Sequence, residues 1–596
     1  MPFVDRKPSW KSILLLLLLV PPMYLLIMGV TQVRLTDEAL VGAFAQNFIS
    51  SKQFAATRIY GQTVPGFPLY SWCVALCSGF NMPNAFLLRL PALLALALLA
   101  VVSGAFARRH HSGFAGIVAA SVVLTSVVSF KIGTLAHVEI IGGLLLSCAW
   151  YLLFDLGFER QKWTAAWIVS LLLVFLATFG IGAKAIILFY FPLLFTGRKI
   201  DCTQKMQTPQ HVVTAGIFVL LLGLCKIWVP TQPFLPWNAQ TILPASETIG
   251  GYMGHICSMF PKIAYYLFPW TFVAWAPFCI AMRQFERDNR MCHFLRTIVF
   301  SNLLVFWFLP GGSPLHLIPV FGPLAVLIGV HAEVVFRRHQ RFFGVLLRIA
   351  AWIVFAMAIA GLLFWLGTLR PLRLFVFEDV SGESFPAWLK GLCILLNAVV
   401  ILCIGHLLFI GWKHRSLRSC LLWCIFAARM ACLGMWQLPA AVWDGNSRKI
   451  HGCKLAEVKI DGGSAKNIAE LLKQDGVEQI NLYLPSNRDI PKTLVETFYL
   501  RAGLGLVRDV PTDIPEDKTA YLLSPFPPAH PALEWETVSP VVNFNARRTV
   551  KGELLLAPGR WKRPFVVFRK SEIDRMPNAA FSSMCIYRGV PKTTEK

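Results

Sequence analysis

The sequence predicts an α-helical polytopic membrane protein of about thirteen spans, with an α/β domain outside the bilayer at its C-terminal end. Three observations predict it. Of 596 residues, 56% are hydrophobic and mean hydropathy is +0.58, well above the roughly 45–50% apolar content of a soluble domain. The apolar residues gather in membrane-length runs without the alternation of a barrel strand, so helices must satisfy their backbone groups in lipid. Basic clusters fall in alternate loops between those runs.

The first run, Ser12 to Val30, follows Arg6, Lys7 and Lys11. It is long enough to span, contains Pro21-Pro22, and lacks the small-residue cleavage site of a signal peptide. It is expected to be a retained helix with its N-terminus in the cytoplasm. Further runs start near Phe86, Phe114, Leu135, Trp163, Ile181, Val212, Ile263, Leu295, Leu315, Leu347, Leu389 and Leu417. The clusters Arg108–His111, Glu159–Lys162, Gly197–Ile200, Arg283–Arg296, Arg337–Arg341 and Trp412–Arg415 mark one common side. The positive-inside rule makes that side the cytoplasm. The net charge of +24 is then topological, and no nucleic-acid partner is expected; membrane lipids are.

The fifteen cysteines lie mostly inside apolar runs, as Cys73, Cys148, Cys225 and Cys403 do, where a thiol behaves as a small buried hydrophobe. No pair has metal-ligand spacing. Cys453 and Cys585 fall in the polar tail, where either a disulfide or two free thiols is compatible with the sequence.

The opposite side receives a long first loop (31–84), a medium loop near Pro230–Lys262, and everything after about Pro439. The expected domains are a membrane domain (1–439) and a soluble extracytoplasmic α/β domain (440–596). In the tail, Ser464 can cap an amphipathic helix that stops at Gly476, and "QINLYLP" then reads as a strand. In the first loop, Thr36 or Asp37 can cap a helix over Thr36–Phe48 whose Leu40, Phe44 and Phe48 share one face, as in a helix lying along the membrane interface. Asp37 and Glu38 would then complement the helix dipole; a site role is the alternative.

Other ionisable residues are predicted in the same outer layer. His137 and Glu139 sit at the outer end of the fourth span and Lys184 in the turn between the fifth and sixth. Arg89 opens the second span, Arg58 lies in the first loop, and His316 follows the turn "PGGSPL". Ionisable groups at membrane depth are costly enough to mark function by default. Each also has a plainer reading. Glu139 can pair with Lys184 or Arg89, the histidines can be hydrogen-bonded interfacial groups, Lys184 can snorkel, and Arg58 can meet headgroups. Carboxylates beside cations suit transfer from a lipid-linked phosphate: the carboxylate takes or orients a proton while Arg and Lys hold phosphate. No nucleotide-cradling Gly loop, metal-ligand cluster or Ser-His-Asp order is evident.

At this point the residues resemble a family. "RLTDEALVGAFAQNFISSKQF", "GQTVPGFPLYSW" and "LLRLPALLALALL" are similar to the opening of membrane glycosyltransferases of the type C fold, the group that includes protein mannosyltransferases and lipid A aminoarabinose transferases. Asp37 and Glu38 match an Asp-Glu pair of the first external loop. Pro68, Leu69 and Trp72 match part of a Lys-Pro-Pro segment, and Arg89 matches an Arg that opens the second span. Glu139 falls where an Asp is usual, Lys184 on the Lys of a Thr-Lys-Gly segment, and His316 on a Tyr. Two family lysines are absent, one replaced at Gly66 and one in the 310–316 turn, which leaves a changed substrate or lost activity open.

The resemblance implies transfer of a sugar, with inversion, from a polyprenyl-phosphate donor to a lipid A, glycolipid, glycan or protein acceptor at the outer face of the cytoplasmic (inner) membrane. Asp37, Glu38 and Glu139 would be catalytic. Arg58, Arg89, Lys184, His137 and His316 would bind substrate or phosphate, and Asp37 with Glu139 are the candidates for a divalent cation. The rival classes are a transporter, with Glu139, His137 and Lys184 as an ion relay, and a non-catalytic relative that binds the lipid carrier. A transporter predicts midplane charges and an internal repeat, and the sequence has neither.

Overall fold

The structure is a computed structural model. It describes residues 10–30, 36–51, 58–59, 62–63, 68–196, 202–228, 249–308, 317–366, 387–411 and 417–434, and strands at 479–482, 505–508, 520–524, 533–542, 549–550, 553–554 and 582–591.

It is a multi-pass membrane protein. Among the described residues, 7 helices are long and apolar enough to cross a bilayer, or 8 if a bent pair counts as one span. The helices that build the site are α1 (Trp10–Val30), α2 (Thr36–Ser51), α3 (Pro68–Cys77), α4 (Ala85–His110), α5 (Gly113–Thr125), α6 (Val127–Gly133), α7 (Glu139–Leu152), α8 (Trp163–Ile181) and α9 (Lys184–Leu194). α5 and α6 are the bent pair, inclined by 59°. Ser126 is extended between them and its Oγ donates to the Val122 carbonyl. α7 runs on into a π-helical turn, Leu153–Glu159. α4 begins at Asn84, whose side chain accepts the Leu87 N–H at 2.8 Å, and ends in Arg108, Arg109 and His110, basic groups that suit a helix C-terminus.

The centre is formed by α4, α5, α7 and the helix Ile318–Arg338. Lipid tails are as apolar as leucine, so close backbone approach matters more here than burial. Small residues provide it. A Cβ on Gly116 would lie 2.6 Å from the Gly104 carbonyl, one on Gly329 2.4 Å from the Ala115 carbonyl, and one on Gly322 2.6 Å from Ser147 Oγ. Leu94 and Leu98 of α4 face outward.

One predicted span is not continuous. The run starting near Ile263 falls at the end of the helix Ile249–Leu267, after which the chain forms only short turns, Thr271–Ala274, Ala276–Phe278 and Ile280–Phe285. Pro269 and Pro277 lack an N–H and their rings crowd the preceding turn, which disfavours helix there, and the helix ends at Leu267, short of both. α2 also differs from an interfacial helix: Ala39, Ala43, Phe44, Ala45, Gln46 and Phe48 are all buried within protein.

In the C-terminal part, five strands form a mixed sheet of order β4-β3-β5-β9-β6. β3 (Gln479–Leu482) runs parallel to both β4 (Gly505–Arg508) and β5 (Ala520–Ser524), while β9 (Ser582–Pro591) is antiparallel to β5 and β6 (Leu533–Val542); β7 (Thr549–Val550) and β8 (Glu553–Leu554) form a separate antiparallel pair. β3 lies within the predicted strand "QINLYLP"; the helix expected from Ser464, and Cys453, fall outside the described residues.

Candidate functional site

The Arg89 end of α4 is built around a buried ion pair. Arg89 is fully buried, and its Nε and Nη2 donate to Glu38 Oε1 and Oε2 at 2.6 and 2.9 Å. Glu38 Oε1 also accepts the Ala136 backbone N–H at 3.1 Å, and Arg89 Nη1 points at the Met28 carbonyl, 3.4 Å away. Four segments are thereby tied together: the end of α1, the start of α2, the start of α4 and the chain entering α7. A two-pronged Arg–carboxylate contact fixes direction as well as distance. Tyr70 of α3 adds a bond to the Leu88 carbonyl at 2.9 Å.

The same end gathers the starts of α7 and α9. Glu139 occupies the first turn of α7, where a carboxylate complements the helix dipole. Gly142, one turn on, packs on Ile181 at the end of α8, and Gly143 packs on Ile318 and Pro319. Gly182, at φ 68°, turns the chain from α8 into α9, a conformation open to a residue without Cβ. That turn sets Lys184 at the head of α9, buried, with Nζ 5.2 Å from the Phe306 ring centre and near enough to Glu139 for their charges to interact. Trp72 of α3 meets Phe179 of α8 with ring centres 5.7 Å apart.

Of the residues singled out in the sequence, Glu38, Arg89, Glu139 and Lys184 are thus brought to one end of the bundle, and His137 lies between Ala136 and α7. The resemblance gives Arg89 a phosphate-binding role; in the structure its guanidinium is engaged by Glu38. Asp37 belongs to the first turn of α2 and Arg58 to strand β1 (Arg58–Ile59), paired with β2 (Gln62–Thr63); the side chains of both, and all of His316, lie outside the described residues.

A second polar group, which the sequence reading missed, sits at the His110 end of α4. His110 Nε2 lies 2.7 Å from Asp155 Oδ1, and its Nδ1 faces Glu159 Oε1 at 3.1 Å and Asp288 Oδ2 at 3.5 Å. Arg109 contacts Asp155 at 2.6 Å and Glu159 at 3.3 Å. Asp288 Oδ1 accepts the Met291 N–H at 3.0 Å, capping the helix Asn289–Phe308. Burial tends to raise the Asp288 carboxyl, but the His110 contact and the backbone N–H groups of Met291 and Arg290 outweigh it and hold the group below the ordinary aspartate value. Nearby, buried Glu286 accepts from Arg296 and contacts His331 Nε2 at 3.1 Å. The sequence carries a signal for it: "FDLGFER" and "QFERDNR" interleave carboxylates with the basic residues that mark topology.

Among the described residues, the His, Cys, Asp and Glu side chains close enough to hold a metal ion are His110, Glu159 and Asp288, whose donor atoms all lie within 4.8 Å of one another.

No protein-family model and no curated protein matches this chain. Among solved structures it is similar to ArnT from Cupriavidus metallidurans in the apo state, at 16% identity and a TM-score of 0.60 over 87% of this chain and 93% of that one. The same protein bound to undecaprenyl phosphate matches at 14% identity and a TM-score of 0.58, over 86% of this chain and 93% of the other. The chain therefore has the fold of a type C membrane glycosyltransferase, as the sequence resemblance implied.

Proposed function

We propose that the chain is a polyprenyl-phosphate-dependent glycosyltransferase acting at the outer face of the cytoplasmic membrane, on a lipid A, other glycolipid, glycan or protein acceptor. One observation carries the reading. In a chain this apolar, α2, α4, α7 and α9 bring Glu38, Arg89, Glu139 and Lys184 to one end of the bundle, and ionisable groups so placed are retained for a use. The ArnT fold supports it, because that protein has been solved with undecaprenyl phosphate bound.

In this reading Asp37 accepts or orients the proton of the acceptor nucleophile, which attacks the sugar carbon with inversion while the bond to phosphate breaks. The departing phosphate carries the electron pair away and is held by Lys184 and Arg58, with His137 and His316 as further donors. Glu139 orients Lys184. Glu38 and Arg89 act as positioning residues, since their pair fixes the first turn of α2 on which Asp37 sits. When a divalent cation binds at Asp37 and Glu139 it supplies further positive charge for the phosphate. The N-terminus is proposed to be cytoplasmic, with about thirteen spans in a membrane domain over 1–439. An extracytoplasmic α/β domain over 440–596 would carry the mixed sheet, whose parallel neighbours need crossovers rather than hairpins.

Membranes containing Asp37→Asn or Glu139→Gln protein, supplied with a polyprenyl-phosphate sugar, test the assignment. Loss of a positioned base is expected to slow transfer by about 10²–10⁴-fold in Asp37→Asn; full activity in both variants overturns it. Mass analysis of lipid A, surface glycans and exported proteins with and without the gene identifies the acceptor. The absence of lysine at Gly66 and in the 310–316 turn favours a second reading, a non-catalytic carrier-binding relative. It predicts donor binding with no turnover on any acceptor.

A further inference from the structure

We infer that His110, Glu159 and Asp288 form a binding site for one divalent transition-metal ion, Zn²⁺ or Mn²⁺, which clips together three elements at the His110 end of α4. This site is separate from the proposed transfer chemistry. Arg89 and His110 lie on one helix, and the rise of an α-helix puts them on the order of 30 Å apart.

The donor atoms are close enough to share one ion: all three lie within 4.8 Å of one another. Ligands about 2.1 Å from a tetrahedral metal stand roughly 3.4 Å from one another, and His110 Nδ1 lies 3.1 Å from Glu159 Oε1 and 3.5 Å from Asp288 Oδ2. One proton on Nδ1 can point at only one of those two oxygens. A cation satisfies the nitrogen and both carboxylates together. The other ring nitrogen, Nε2, meets Asp155 Oδ1 at 2.7 Å, and a metal-bound imidazole characteristically donates its second N–H to a carboxylate, which fixes the tautomer. Arg109 in turn holds the far oxygen of Asp155 at 2.6 Å. The His110 side chain is only 2% exposed, so its ring is fixed by packing, against Phe106 at 4.4 Å and Phe154 at 5.4 Å between ring centres.

The donor set selects the class of ion. One imidazole with two carboxylates suits Zn²⁺ or Mn²⁺; Mg²⁺ and Ca²⁺ prefer all-oxygen shells. The donors come from three places: the last residue of α4, the π turn after α7, and the residue that caps the helix Asn289–Phe308. An ion there would stabilise the folded bundle by linkage, because the ligands are not assembled in the unfolded chain.

Full-length, tag-free protein in detergent, stripped with EDTA and titrated separately with Zn²⁺ and Mn²⁺, tests this by elemental analysis after dialysis and by melting temperature. One equivalent per chain of at least one of the two ions is expected, with a raised melting temperature. Glu159→Gln and Asp288→Asn should each weaken binding at least tenfold, and Asp155→Asn by about 10–100-fold. In EDTA, Glu159→Gln, whose native side chain is 36% exposed, should melt within a few degrees of the parent, so that weakened binding is not misfolding. Substoichiometric binding of both ions at about 100 µM, or binding that survives Glu159→Gln and Asp288→Asn unchanged, overturns the proposal and leaves the ring bridged by a proton.

Discussion

Glu38 and Arg89 each stood out in the sequence for chemistry, one as a catalytic acid and one as a phosphate ligand. Their partnership was hidden because 51 positions separate them, and nothing local signals which buried cation meets which buried carboxylate. Removing one member of such a pair leaves an uncompensated charge, which costs about 3–5 kcal/mol. Glu38→Ala and Arg89→Ala should each destabilise the protein by that order, measured by denaturant unfolding in detergent. The double variant Glu38→Leu/Arg89→Met should cost well under the sum of the two, because it leaves neither charge stranded. Additive losses would mean that the two residues do not share one interaction. Arg89→Lys should also lower transfer activity, since an ammonium cannot reproduce the two-pronged contact that orients the first turn of α2.

At the scale of elements, the membrane-length helices were legible because an apolar run of spanning length has few other fates. The runs starting near Phe86, Phe114, Trp163 and Leu389 begin within two residues of helices starting at Ala85, Gly113, Trp163 and Ala387. Composition failed near Ile263, where Pro269 and Pro277 break a run that hydropathy alone joins. It was also silent on which glycines are contacts. Gly329 and Gly216 both lie inside apolar helices, yet a Cβ on the first would stand 2.4 Å from the Ala115 carbonyl and one on the second meets nothing within 4 Å. Gly329→Ala should therefore force the helix Ile318–Arg338 away from α5, at about 1–3 kcal/mol. Gly216→Ala should be neutral or stabilising by up to roughly 1 kcal/mol, because alanine is the better helix former. Melting temperatures of the two variants in one detergent check both, and equal shifts would remove the close crossing as a source of stability.

For the molecule as a whole, charge pattern and structure bear on each other through α4. Its 26 residues rise about 39 Å, more than the roughly 30 Å hydrocarbon core, so its ends must face opposite sides of the bilayer. Arg89 with Glu38 lies at one end and the Arg108–His111 cluster at the other. The sequence assigns those sides only through the bias of its basic loops, which in the proposed orientation puts the His110 end in the cytoplasm. It could not show that carboxylates from α7's π turn and from position 288 neutralise part of that cluster, because their convergence depends on tertiary packing. In the proposed orientation the basic loops act together, and Arg109 contributes less than a free charge because it is already bound to Asp155 and Glu159. Alkaline phosphatase, active only outside the cytoplasm, should accordingly be active when fused after Gly434 and inactive when fused after Ser112. Green fluorescent protein should give the reverse pattern. Phosphatase activity at Ser112 would invert the molecule, move the Glu38–Arg89 end to the cytoplasm and remove the outer face as the place of transfer. Neutralising Arg108 alone should leave the fusion pattern unchanged, since the remaining basic loops still outvote it.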